Sequence, residues 1–100
     1  MNQIRGGARK KCILAVDDAA IVLTRLLDTL RNDYEVITVN SGVRALKYLE
    51  QAKPDLILLD IQMPQKNGID TLRAIRAMEN RADIPVIMLT GVEEKDSVLE

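Results

Sequence analysis

Lys11-Cys12-Ile13-Leu14-Ala15-Val16-Asp17-Asp18 is a short apolar run that ends abruptly in two carboxylates. An aliphatic stretch without polar alternation reads as a strand buried on both faces, and such strands belong to parallel sheets. Residues 19–32 then place Val22, Leu23, Leu26, Leu27 and Leu30 at helical spacing, with Thr24, Arg25, Asp28 and Arg31 opposite. Asp18 stands where the cap of that helix belongs.

The unit repeats. Tyr34 to Val39 is rich in β-formers, and Ser41 can cap a helix with Ala45, Leu46 and Leu49 on one face. Pro54 punctuates, and Asp55-Leu56-Ile57-Leu58-Leu59 ends in Asp60. A loop with Pro64 and Gly68 leads into a helix carrying Ile69, Leu72 and Ile75. Ile84 to Leu89 reads as a fourth strand, closed by Thr90-Gly91, and Glu93 to Glu100 as the start of a further helix. Strands alternating with helices through short loops predict an α/β fold with a parallel sheet, and right-handed crossovers place helices on both of its faces. Residues 1–10 read as a flexible leader and residues 11–100 as one domain.

Composition narrows the chemistry. With 100 residues and 47% of them apolar, the chain suffices for one domain with a core. Tyr34 and Tyr48 are the only aromatics and the net charge is -1, so neither base stacking nor a strong field favours nucleic acid or an anionic membrane. The basic cluster Arg5, Arg9, Lys10 and Lys11 reads as a solvated tail. The single Cys12 fits a reducing compartment, and its apolar setting predicts a buried, inert thiol. No apolar stretch approaches the roughly 20 residues of a membrane helix, and no signal-peptide core opens the chain. A cytoplasmic protein is expected. The absence of histidine excludes Ser-His-Asp and Cys-His catalysis, His-rich zinc sites and a phosphohistidine carrier.

Carboxylates at strand ends carry the chemistry that remains. Ligands of open α/β sheets bind beyond the carboxyl ends of the strands, where Asp17, Asp18 and Asp60 fall. Converging like charges are costly unless a cation compensates, and oxygen donors of this kind suit Mg²⁺. Asp18 alone reads as a helix cap. Three carboxylates at the ends of two buried strands read as a cation site. The same residues would repel a bare phosphate, although a metal-bridged phosphoryl group reverses the local field.

Val16-Asp17-Asp18, Leu58-Leu59-Asp60, Met63-Pro64-Gln65-Lys66-Asn67-Gly68 and Leu89-Thr90-Gly91 together resemble the receiver domain of two-component response regulators, in order and in spacing, from about Lys11 to Glu100. The resemblance implies a flavodoxin-like fold and a signalling module rather than an enzyme. It implies that Asp60 is the phosphoacceptor, supplied by a histidine kinase or a phosphotransfer protein. Asp17, Asp18, Asp60 and the Gln62 backbone carbonyl would hold Mg²⁺. Thr90 would be the switch hydroxyl, while Gln62 and Val92 match positions that tune the phosphoryl lifetime. Pro64 restricts Met63, and Gly68 is expected to serve the turn that opens the third helix.

The family's fifth strand, the Lys that ends it, and its fifth helix find no counterpart, and neither Lys66 nor Lys95 stands at the matching position. The expected strand order is therefore 2-1-3-4, with the fourth strand as an open edge through which copies of the chain could associate. Unfinished periodicity at Ser97-Val98-Leu99-Glu100 reads as a cut from a longer regulator; a naturally short receiver-like protein is the other reading. A phosphorylation-independent interaction module is the alternative function, supported by the missing Lys but not by the intact acidic residues and Thr90. A haloacid-dehalogenase-like phosphatase would need a second acid two residues after the nucleophile, where Gln62 stands.

Overall fold

The computed structural model describes residues 10–63 and 67–89. They form β1 (Cys12–Val16), α1 (Ala20–Leu30), β2 (Glu35–Val39), α2 (Gly42–Gln51), β3 (Leu56–Asp60), α3 (Gly68–Arg76) and β4 (Val86–Leu89). The strands make one sheet in the order β2-β1-β3-β4, with every pair parallel, as the alternating pattern predicts. β4 begins two residues later than Ile84, because Pro85 has no N–H to give to a ladder. The leader expected at 1–10 lies outside the described residues except for Lys10.

The side chains of the central strands divide between two faces. Leu14 and Val16 of β1 and Ile57 and Leu59 of β3 are fully buried against Ala45 and Leu49 of α2 and Ile75 of α3. Ile13, Leu56 and Leu58 point the other way, where with Leu30 of α1 and Tyr34 they line an apolar groove of about 350 Å³. α1 buries none of its residues completely, so among the described residues this face is covered less deeply than the other.

Polar contacts fix the strand starts and the connections. The Cys12 N–H donates to the Asp55 carboxylate and the Asp55 N–H to the Cys12 carbonyl, each at 2.8 Å. Arg81 Nε donates to the Leu49 and Ala52 carbonyls at 2.9 and 3.1 Å, satisfying acceptors that the end of α2 leaves open. Arg76 Nη1 donates to the carbonyls of Ala82 and Ile84 at 2.6 and 2.7 Å. Between these clamps Asn80 adopts φ 65°, a left-handed conformation that Asn tolerates better than most residues. The path from α3 to β4 is thereby set.

Candidate functional site

Register brings the site together. Val16 pairs with Leu59, so the residues that follow, Asp17 and Asp60, leave neighbouring strands at the same level. Asp17 continues directly from β1, with its N–H on the Val39 carbonyl at 3.2 Å. Carboxylate oxygens of Asp17, Asp18 and Asp60, one from each residue, lie within 4.8 Å of one another. Asp17 and Asp60 are buried and Asp18 is exposed, so the cluster opens to solvent on one side. Small side-chain adjustments would close such a set of hard oxygen donors onto one divalent cation, and the donor chemistry fits Mg²⁺.

Local hydrogen bonds aim the two buried carboxylates. The Ala19 N–H donates to Asp17 Oδ1 at 2.9 Å, and the Gln62 N–H donates to Asp60 Oδ1 at 3.2 Å. Both bonds favour the charged carboxylate, yet burial outweighs them. Loss of hydration pushes the Asp60 carboxyl up to about 6, with the charges of Asp17 and Asp18 adding to the rise and the Gln62 N–H opposing it. Asp17 is also raised, first by burial and then by the Asp18 charge, against the opposing Ala19 N–H. Repulsion of this kind is what a cation would relieve.

Several expectations change on the structure. Asp18 does not cap α1: the N-cap is Ala19, without a side-chain cap, and the nearest carboxylate bond comes from Asp17. The capping explanation of Asp18 therefore fails, and its place in the acidic cluster remains. Ser41 does cap α2, its Oγ accepting from the Arg44 N–H at 3.1 Å. Gly68 is the first residue of α3 and not a turn glycine; no described glycine has positive φ. Its space is what matters. A Cβ there would collide with the Asp60 carbonyl oxygen and stand 2.6 Å from Ile61 Cα. The Gly68 N–H also donates to the Ile61 carbonyl at 2.8 Å, so α3 starts directly against the acceptor segment. Nothing in the local sequence marks that contact, because it joins residues across a loop. Asn67, not foreseen as a cap, accepts from the Asp70 N–H at 2.9 Å; the Asn67-Gly68 pair ahead of an apolar period was the available signal. Cys12 is half-buried rather than buried, with Sγ 3.8 Å from the Tyr48 hydroxyl. Thr90, Val92, Pro64 and Lys66 lie outside the described residues.

Comparison with known proteins agrees with this geometry. Residues 13–100 match the family described as the response regulator receiver domain. The alkaline phosphatase synthesis transcriptional regulatory protein PhoP of Bacillus subtilis is 42% identical over 91 residues, which cover 89% of this chain and 37% of that protein. A protein-glutamate methylesterase/protein-glutamine glutaminase of the same species is 44% identical over 86 residues, covering 83% of this chain and 23% of the relative. The chain thus spans well under half the length of these relatives. Among solved structures, the Mn²⁺-bound form of response regulator Rcp1 superposes with a TM-score of 0.71 at 32% identity, over 89% of this chain and 71% of the other. The expected 2-1-3-4 sheet is the part of the flavodoxin-like receiver fold found here. By register, acidic cluster and sequence match alike, the chain belongs to the response regulator receiver domains of two-component signalling.

Proposed function

We propose that this chain is a phosphoacceptor: Asp60 takes a phosphoryl group from a histidine kinase or phosphotransfer protein and holds it as an acyl phosphate. The observation that carries this reading is the convergence of Asp17, Asp18 and Asp60 within 4.8 Å at the carboxyl ends of β1 and β3. A carboxylate oxygen of Asp60 attacks phosphorus as the bond to the donor's imidazole nitrogen, or to acetate in acetyl phosphate, breaks and the leaving group departs with that electron pair. Asp17, Asp18, Asp60 and the Gln62 backbone carbonyl are the residues assigned to Mg²⁺. When bound, that ion offsets charge on the transferring group. The existence of an Mn²⁺-bound form of Rcp1 supports a divalent ion on such a site.

The chain's own groups prepare the acceptor. The Gln62 N–H donates to Asp60 Oδ1 and orients that carboxylate. Asp60 itself is only 5% exposed at the end of β3, which limits its contact with water. Thr90 is the proposed switch hydroxyl one residue beyond β4, which pairs with β3 through Asp60 and Leu89. The receiver unit begins at Lys11 and acts in the cytoplasm as a signalling module without an enzymatic activity of its own. Among the described residues no helix is long and apolar enough to cross a membrane.

The test is intact mass after incubation with acetyl phosphate and Mg²⁺, beside Asp60→Ala. A single phosphoryl adduct that is absent from Asp60→Ala is the expected result. No adduct on a folded chain that still binds Mg²⁺ would overturn the acceptor role and leave the interaction-module reading in its place.

A further inference from the structure

We propose that Gly68 is a positioning residue of the acidic site. Its missing side chain lets the first turn of α3 sit against the backbone of Asp60 and Ile61, and that seat fixes where the Asp60 carboxylate and the Gln62 peptide can lie. The inference rests on the metal-assisted acceptor reading above.

Steric contact, not backbone torsion, is the ground for it. Gly68 lies in a helix and does not use positive φ, so alanine could adopt its conformation and, by intrinsic propensity, would favour the helix. Space forbids it. An added Cβ meets the Asp60 carbonyl oxygen, stands 2.6 Å from Ile61 Cα and 2.9 Å from the Asp60 carbonyl carbon. All three are backbone atoms, so no rotamer change clears them. Either α3 retreats or the end of β3 moves. Retreat is opposed by the 2.8 Å bond from the Gly68 N–H to the Ile61 carbonyl and by Thr71 and Ile75, which are fully buried one and two turns further along the same helix. Movement of β3 is opposed by its pairing on both sides, with β1 and β4, up to Leu59 and Asp60. The three atoms that the Cβ meets belong to the peptide between Asp60 and Ile61, which leads directly into Gln62, whose N–H holds Asp60 Oδ1 at 3.2 Å. A methyl group at position 68 therefore acts first on the carboxylate's aim and on the Gln62 carbonyl.

The experiment is Mg²⁺ and Mn²⁺ binding by calorimetry to the full chain, to Gly68→Ala, and to Ile75→Val and Ile75→Ala. The Ile75 variants weaken the same helix in the core without touching Asp60. Gly68→Ala is expected to lose about tenfold or more in affinity for both ions, the range seen when groups that orient metal ligands are removed. The Ile75 variants, at equal or greater loss of melting temperature, are expected to stay within about twofold of the parent, as distant sites do. Parent-like affinity in Gly68→Ala, or equal losses in all variants, would overturn the positioning role. If the unsubstituted chain binds neither ion, it is the metal-assisted reading that fails. Should Gly68→Ala not fold, hydrogen exchange in the unsubstituted chain decides. Coupling is reciprocal, so Mg²⁺ must slow exchange of the Gly68 amide by more than that of Ala77, at the other end of α3, which reports the general stabilisation by a bound ion. Slowing at Gly68 no greater than at Ala77 overturns the proposal.

Discussion

Val16 stands opposite Leu59 in the parallel register of β1 and β3, and this pair places Asp17 beside Asp60. A one-residue slip would turn every side chain of β1 to the other face, so the same apolar burial that fixes the register also fixes the acidic site. The core, with Leu14, Val16, Ile57 and Leu59 fully buried, holds two carboxylates together that would otherwise separate. Site and core are one construction problem, and its electrostatic cost is measurable.

Asp60 carries most of that cost. Its folded pKa of about 6 lies above the ordinary carboxylate value of 3.8. A raised folded pKa favours the fold fully below the unfolded value, and that contribution is lost as pH rises through about 6. Asp60→Asn, which cannot ionise, should therefore stabilise the metal-free chain at pH 7 by on the order of 1–3 kcal/mol. The gain should shrink towards zero as pH falls below 4. Urea unfolding of both proteins across this range, without divalent ions, checks it. A gain that is independent of pH would show that charge at Asp60 is not the cause.

Asp17 and Asp18 separate structure from function. Asp18 makes no capping bond to α1, so Asp18→Ala should leave metal-free stability unchanged or raise it slightly, while weakening Mg²⁺ binding. Ser41→Ala, which removes a formed cap, should cost about 1 kcal/mol with no change in metal affinity. Asp17→Asn relieves repulsion but can still accept the Ala19 N–H through its amide oxygen, so it too should stabilise the metal-free chain and weaken Mg²⁺ binding. Thermal melts with and without Mg²⁺ read all three. A large loss in metal-free Asp18→Ala would restore a structural role to that side chain.

The same contrast shows what the sequence reveals. Apolar runs that stop at Asp17 and Asp60 are visible as pattern, because burial on both faces removes polar alternation, and a parallel sheet follows from them; the strand order that sets Asp17 beside Asp60 comes from the family resemblance and not from the pattern. Ser41 is legible because a cap acts within one turn of its own helix. Asp18 misleads for the same reason: its position matches a cap, but α1 begins one residue later, with Ala19 at the cap, while the Asp17 carboxylate accepts the Ala19 N–H. Gly68 is visible only as a glycine near a helix start. What requires it is the backbone of Asp60 and Ile61, brought there by packing of α3 on β3, and no local rule encodes that distance.

Among the described residues β4 is the outer strand of the sheet beside β3, and Ile87 on it is 51% exposed. An open strand offers unpaired N–H and C=O groups, and an apolar side chain standing off it adds a surface that a second strand can cover. The occupant proposed for this edge is a second copy of the chain, pairing β4 to β4. Antiparallel pairing about a two-fold axis would bring the two Ile87 side chains close together and out of water. Light scattering should then show a mass that rises with concentration across the micromolar range. Ile87→Lys, which puts a charge on the edge without disturbing the buried Val16, Leu59 or Ile75, should hold the chain at the monomer mass with its melting temperature nearly unchanged. A concentration-independent monomer in the unsubstituted chain would sink the pairing, and a dimer that survives Ile87→Lys would move the contact elsewhere, with the apolar groove of Ile13, Leu56 and Leu58 the next surface to substitute.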